Sequence, residues 1–101
     1  MAIERFTQAL DKDLQADELS VVYAFRAMSY GATYKYEEGL SDADTAIDLE
    51  ARNAFAYYIR GLIHYDLGEE QSAIDDLERS LELGLEADAR DFAESILVEL
   101  R

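Results

Sequence analysis

Apolar side chains recur every three or four residues along the chain, which is the spacing of one face of an α-helix. They fall into six stripes, of which the first is Ile3, Phe6, Leu10 and Leu14. Little interrupts the pattern, because the sequence contains no proline and five glycines. The pattern predicts an all-α fold of about six helices joined by short connections, so that neighbouring helices run antiparallel.

Glycines mark two of the predicted helix ends. Gly68 and Gly84 each follow a leucine that closes an apolar stripe, and a glycine in the left-handed conformation commonly ends a helix. The third helix is predicted to begin near Tyr36. Ser41 and Asp42 then lie within that helix and are predicted to face solvent.

The chain repeats itself, because residues 20–53 align with residues 54–87 without a gap. Four residues recur unchanged in this register. The pairs are Tyr23 with Tyr57, Arg26 with Arg60, Asp42 with Asp76, and Leu49 with Leu83. Residues of similar size fill many of the places between them. A repeat of about 34 residues is typical of a solenoid, in which each unit packs mainly against its neighbours.

Small and aromatic residues hold fixed places in the two repeats. They are Tyr23, Ala27, Tyr30, Gly39 and Ala46 in the first repeat, and Tyr57, Gly61, Ala73 and Ser80 in the second. In this spacing the chain resembles the tetratricopeptide repeat family. It departs from the family's pattern at Arg26 and Arg60, where leucine is usual, at His64, where tyrosine is usual, and in lacking the proline between repeats.

The resemblance implies a right-handed superhelical solenoid of antiparallel helical hairpins in a single domain. It divides the chain into the second helix of a partial repeat with its connection (1–19), two complete repeats (20–53 and 54–87) and a C-terminal capping helix (88–101). Ala2 takes the place that Gly39 holds in the next repeat only if the first connection carries three extra residues.

Composition and charge narrow the range of functions. The 101 residues include 23 acidic and nine basic side chains, a net charge of −14, which repels nucleic-acid phosphates and anionic lipid headgroups. We therefore expect neither nucleic-acid nor membrane binding. Half of the residues are hydrophobic (50%), enough for one packed domain. The sequence has no cysteine and no apolar leader segment, so a cytoplasmic protein is expected.

Candidate catalytic groups are few. His64 is the single histidine, and its place in the repeat favours a half-buried packing role over a catalytic or ligating one. Acids alternate between Asp42 and Asp48, but the segment lacks the glycine and the final glutamate of a calcium loop. The carboxylates of this segment are predicted to form a solvated helix face. We therefore expect no enzyme activity, no metal site and no cofactor.

The resemblance also implies where a partner would bind. In this family the first helix of each repeat lines a concave groove. The corresponding residues here are mostly apolar or aromatic, and the predicted partner-binding set is Val21, Ala24, Met28, Phe55, Tyr58, Leu62, Tyr65 and Phe92. Such a groove predicts a protein–protein interaction module that binds an apolar or amphipathic peptide or helix. The acidic surface is compatible with a basic partner.

Other interpretations of the same features stay open. The apolar groove residues could pack within the chain itself. The first helix lacks its own hairpin partner, so Ile3, Phe6 and Leu10 could support a homodimer. The alternative function is accordingly a homo-oligomeric structural unit, or a fragment of a longer repeat array. Family members that hold acidic chaperone tails use Lys, Arg and Asn in the groove, and their absence from these places disfavours a co-chaperone role.

Overall fold

A computed structural model describes residues 2–10 and 14–101. The described residues form six helices and no strand, which confirms the predicted all-α fold. The helices are α1 (Ala2–Leu10), α2 (Ala16–Ala32), α3 (Tyr36–Leu49), α4 (Ala54–Asp66), α5 (Glu70–Leu83) and α6 (Ala87–Leu100). The side chains of Phe6 and Leu10, to which the homodimer hypothesis appealed, lie outside the described part of the chain.

The helices stack in chain order. Helix α2 pairs with α3 and α4 pairs with α5, each across a short turn, so that each pair is an antiparallel hairpin. Helix α3 packs on α4, α2 on α4, α1 on α2 and α5 on α6. The resulting body measures 42 × 26 × 21 Å. Helices α2, α4 and α6 therefore follow one another as successive first helices along the stack.

Backbone conformation explains the helix ends. Gly68 and Gly84 have φ of 77° and 99° and follow α4 and α5, as the sequence predicts. Tyr34, with φ of 64°, turns the chain after α2 without a glycine. Asn53 begins α4 by accepting a hydrogen bond from the Ala56 amide.

Two glycines inside helices are explained by one side chain, Ile63. A Cβ atom on Gly39 would lie 2.8 Å from Ile63 Cδ1 and 3.2 Å from the Ala27 carbonyl oxygen. A Cβ atom on Gly31 would lie 3.2 Å from Ile63 Cγ1. Ile63 itself is 3% exposed and belongs to the main core. The two glycines therefore give α4 room to seat this isoleucine against the preceding hairpin.

The structure corrects the prediction that Asp42 faces solvent, and Asp76, its counterpart in the next repeat, is in the same situation. Both are buried, with 5% and 7% of their surface exposed. Arg26 donates from Nε and Nη2 to the two carboxylate oxygens of Asp42, at 2.6 and 2.8 Å. Arg60 makes the same paired contact with Asp76, at 2.8 and 2.8 Å. The prediction was wrong because helical spacing does not reveal a partner on the adjacent helix.

Each of these arginines also lies over an aromatic ring of its own helix. The guanidinium carbon of Arg26 is 5.4 Å from the centre of the Tyr23 ring, and that of Arg60 is 5.3 Å from the centre of the Tyr57 ring. The ring face attracts the cation and shields it from water. Hydrogen bonding to Asp76 holds the pKa of Arg60 well above its usual value.

A third contact of each arginine joins consecutive repeats. Arg60 Nη1 donates to Asp44 Oδ1 on α3, at 2.9 Å, and Arg26 Nη1 donates to Thr7 Oγ1 on α1, at 3.3 Å. Thr7 corresponds to Asp44 at the offset expected from the sequence. Each guanidinium therefore links the second helix of its own hairpin to the second helix before it, and α1 occupies the place of such a second helix.

We expect Arg60→Ala to destabilise the fold strongly, because it leaves the buried Asp76 carboxylate without its partner. The predicted loss is about 2 to 4 kcal/mol, since the Arg60 side chain is 25% exposed and the pair is not fully dry. Replacing both partners (Arg60→Met with Asp76→Leu) should cost less. Arg79→Ala, which removes an exposed pair with Glu82 and a 6.0 Å contact with the Tyr57 ring, should change stability by less than about 1 kcal/mol.

Urea unfolding followed by circular dichroism measures all three free energies of unfolding. Equal losses for Arg60→Ala and Arg79→Ala would show that the Arg60–Asp76 pair does not stabilise its hairpin.

Candidate functional site

An apolar groove of about 490 Å³ lies beside the middle of α2. Its walls come from α2, from the start of α4 and from the turn that leads into α6. The lining residues are mainly apolar, and they are Val21, Ala24, Phe25, Met28, Asn53, Phe55, Gly84, Leu85, Glu86 and Ala89. Three of the apolar side chains are substantially exposed: Val21 at 49%, Met28 at 39% and Phe25 at 38%.

Helical spacing puts the α2 residues on one face. Val21, Phe25 and Met28 follow one another at intervals of four and three residues, so their side chains lie one above the other. The Phe25 and Phe55 rings are 5.0 Å apart and tilted by 35°, which joins α2 to α4 at the groove. Leu85 lies in the turn that forms the other wall of the groove, and its side chain is buried.

The amide of Asn53 in the groove wall is engaged at both ends within the fold. Its Oδ1 accepts from the Ala56 amide at 3.0 Å and caps α4. Its Nδ2 donates to Ser20 Oγ at 2.9 Å, and the buried Ser20 hydroxyl donates in turn to the Ala46 carbonyl oxygen at 2.7 Å. Asn53 therefore fixes the position of α4 against α2 and α3.

A second depression continues the apolar surface along α2 and α4. It has a volume of about 220 Å³ and shares Met28 with the groove. Its other lining residues are Gly31, Ala32, Ile59, Leu62, Ile63 and Asp66. No lysine or arginine lines the groove or this depression in the described part of the chain. Their charged lining residues are Glu86 and Asp66, both acidic.

The structure brings five of the predicted binding residues to this surface. Val21, Ala24, Met28 and Phe55 line the groove, and Leu62 lines the depression.

The other three predicted residues lie elsewhere. Tyr58 is 9% exposed, belongs to the core and stacks behind Phe55 with ring centres 6.1 Å apart. The half-buried Tyr65 donates its hydroxyl to Glu99 at 2.6 Å, and this hydrogen bond raises the pKa of the Tyr65 phenol. Phe92 on α6 is 53% exposed and lines neither cavity.

Sequence reasoning did not single out Phe25, Asn53 and Glu86 as groove residues. Phe25 follows a predicted groove residue on the broad apolar face of α2, which was the available signal. Asn53 and Glu86 immediately precede α4 and α6. A side chain outside a helix has no place in a helical spacing argument, so these two required the fold.

His64 is held in place by acids. Its Nδ1 lies 2.7 Å from Glu69 Oε1, its Nε2 lies 3.8 Å from Asp76 Oδ2, and its side chain is 18% exposed. Nowhere in residues 2–10 and 14–101 do three or more His, Cys, Asp or Glu side chains form a group suited to a metal ion. Among the same residues no helix combines the length and apolar character needed to cross a bilayer.

Comparison with known proteins places this arrangement in a class. Models of known protein families and curated protein sequences give no match to the chain. The chain does match solved structures. The second TPR domain of human RPAP3, in complex with the HSP70 peptide SGPTIEEVD, is 30% identical over 97% of this chain and 77% of its own, with a TM-score of 0.75.

Two further solved structures agree. The first TPR domain of human RPAP3 is 28% identical over 97% of this chain and 72% of its own, with a TM-score of 0.82. The first TPR of Spaghetti (RPAP3), bound to the HSP90 peptide SRMEEVD, is 28% identical over 97% of this chain and 73% of its own, with a TM-score of 0.81. The fold and its groove define an all-α helical repeat protein. The chain belongs to the tetratricopeptide repeat family.

Core and groove side chains should respond differently to truncation. Tyr58→Ala is expected to cost about 3 kcal/mol of stability, because it opens a cavity behind Phe55. Met28→Ala, at a residue that is 39% exposed, should cost less than about 1 kcal/mol. Urea unfolding of the two variants distinguishes the roles. A Met28→Ala loss as large as that of Tyr58→Ala would show that the groove is part of the core.

Proposed function

We propose that the chain is a protein-interaction module whose groove binds a basic amphipathic segment of a partner protein. The TPR domains of RPAP3 that resemble it hold HSP70 or HSP90 peptides, which supports peptide binding as the general activity. The observation that carries the proposal is a groove with exposed apolar side chains and no basic side chain among its described lining residues.

The apolar contribution to binding comes from a short row on α2. Val21, Phe25 and Met28 together span two turns of the helix, about 11 Å. Two turns of an amphipathic helix, or a short extended segment, match that length. Methionine and aromatic side chains supply large contact areas and adapt to different partners. Burial of this row under a partner is the source of affinity.

Charge sets the preference for a basic segment. Glu86 and Asp66 are the charged side chains that line the two cavities, and the whole chain carries a net charge of −14. A basic segment is attracted to this field and an acidic one is repelled. The HSP70 and HSP90 peptides bound by the related domains both end in EEVD, whose charges a groove without lysine or arginine does not neutralise.

The module acts without chemistry of its own in this proposal. His64 has its two ring nitrogens directed to the acids Glu69 and Asp76, and it lines a polar cavity separate from the groove. Its role is to connect α4 to α5.

Synthetic peptides test the charge preference. We expect a two-turn leucine–lysine amphipathic peptide to bind, and its leucine–glutamate counterpart and SRMEEVD to bind at least about tenfold more weakly. Fluorescence anisotropy with labelled peptides measures the dissociation constants. Tighter binding of SRMEEVD than of the basic peptide would contradict the proposal.

Groove variants test the site. Val21→Gln and Met28→Gln should each weaken capture of the basic peptide about threefold to thirtyfold, because each replaces exposed apolar contact area. Leu67→Gln is the matched control, since Leu67 is 43% exposed and lies outside both cavities. Equal effects of all three variants would show that the peptide does not bind in the groove.

A further inference from the structure

One face of α6 is covered by no helix in the described part of the chain. On α2 and α4 the corresponding face packs against the second helix of the hairpin, which buries Ala27 and Gly61. Helix α6 keeps the register of α4, because its buried Ala93 and Leu97 lie one repeat period after the buried Ile59 and Ile63 of α4. Its residues on this face are all exposed, and they are Asp91, Glu94, Ser95 and Val98.

Helix α1 also has one side on which no helix packs in the described part of the chain. It packs on α2 as α3 packs on α4, and Thr7 of α1 meets the arginine of the next repeat as Asp44 of α3 does. The described residues supply no first helix on its other side. Arg5, two residues before Thr7, therefore holds the place that Asp42 holds on α3, and Arg5 is exposed.

The two incomplete halves carry the repeat's ion pair with its charges exchanged. In both complete hairpins the first helix supplies arginine and the second supplies aspartate. On α6 the place of Arg60 is held by Glu94, one repeat period later, and on α1 the place of Asp42 is held by Arg5. An acid on the first helix and a base on the second would form an ion pair at the same place, with the positions of the two charges exchanged.

We propose that α1 of one copy of this chain docks on the uncovered face of α6 of a second copy and completes a hairpin there. Glu94 of one copy pairs with Arg5 of the other. Val98, which is 78% exposed, lies one repeat period after His64 and becomes covered by the docked helix, as His64 is covered by α5. The contact is head to tail, so it leaves one free α1 and one free α6 and extends to further copies.

The exchanged charges give the contact its specificity. If α1 took the place of α3 against α2, Arg5 would face Arg26 across the hairpin. If α3 or α5 of another copy approached α6, Asp42 or Asp76 would face Glu94. Like charges at close quarters oppose both arrangements. Docking of α1 on α6 joins the two helix faces that are uncovered in the described part of the chain and brings opposite charges together there. This surface is separate from the groove, so the inference does not depend on the proposed peptide binding.

Charge-reversal variants test this contact in the full chain. Sedimentation velocity over a concentration series, at an ionic strength of about 0.15 M so that repulsion between distant charges is screened, should show a mass that rises above 11.4 kDa with concentration. Arg5→Glu and Glu94→Arg should each weaken association about tenfold or more, because each faces like charges. The double variant, and an equimolar mixture of the two single variants, should associate again.

Two exposed residues away from the contact provide matched controls. Arg52→Glu and Asp48→Arg make the same kinds of charge change elsewhere on the surface and should leave the association unchanged relative to the parent chain. Circular dichroism confirms that each variant stays folded. A monomer at every concentration, a loss matched by the controls, or a double variant that fails to regain association would each overturn the proposal.

Discussion

The half-buried guanidinium group between two acidic helices is the constraint on which the stacking of the helices depends. Arg60 directs its donors to Asp76 on its own hairpin and to Asp44 on the hairpin before it, while the Tyr57 ring covers one of its faces. A planar cation whose donors have fixed directions favours helix positions at which it meets all three partners. It therefore contributes both to the contact between repeats and to the register within one hairpin. The same unit recurs around Arg26 with Thr7 in place of the preceding carboxylate.

Much of the fold follows from local signals in the sequence. Helical spacing gives the number of helices, Gly68 and Gly84 give two of their ends, and the repeat period gives their stacking order. The burial of Asp42 and Asp76 does not follow from these signals, because a charged side chain is expected to face solvent unless its partner is known. Their partners lie 16 residues earlier in the chain. The recurrence of tyrosine, arginine and aspartate together at the repeat period was the available clue, since three chemically complementary identities recur within one unit.

The candidate site was less predictable than the fold, for a geometric reason. A family position tells which face of a first helix a residue occupies, and Val21, Met28 and Phe55, which were chosen in this way, lie in the groove wall. It does not tell how deeply the next helix covers that face. Tyr58 shares its face with groove residues and is nevertheless buried, because it packs within the main core behind Phe55. The RPAP3 domains show the same architecture holding acidic peptides. A shared fold does not by itself fix which peptide is bound.

The contact between Arg26 and Thr7 has a consequence for how the molecule opens. Toward the preceding helix Arg60 makes a charge-assisted bond of 2.9 Å to Asp44, whereas Arg26 makes a bond of 3.3 Å to a neutral hydroxyl. Helix α1 spans nine residues and packs on one neighbour among the described helices. Stability in a stacked protein is a sum of such nearest-neighbour contributions. We therefore expect amide protons of α1 to exchange with solvent through local fraying, and those of α4 and α5 to exchange through opening of the whole stack.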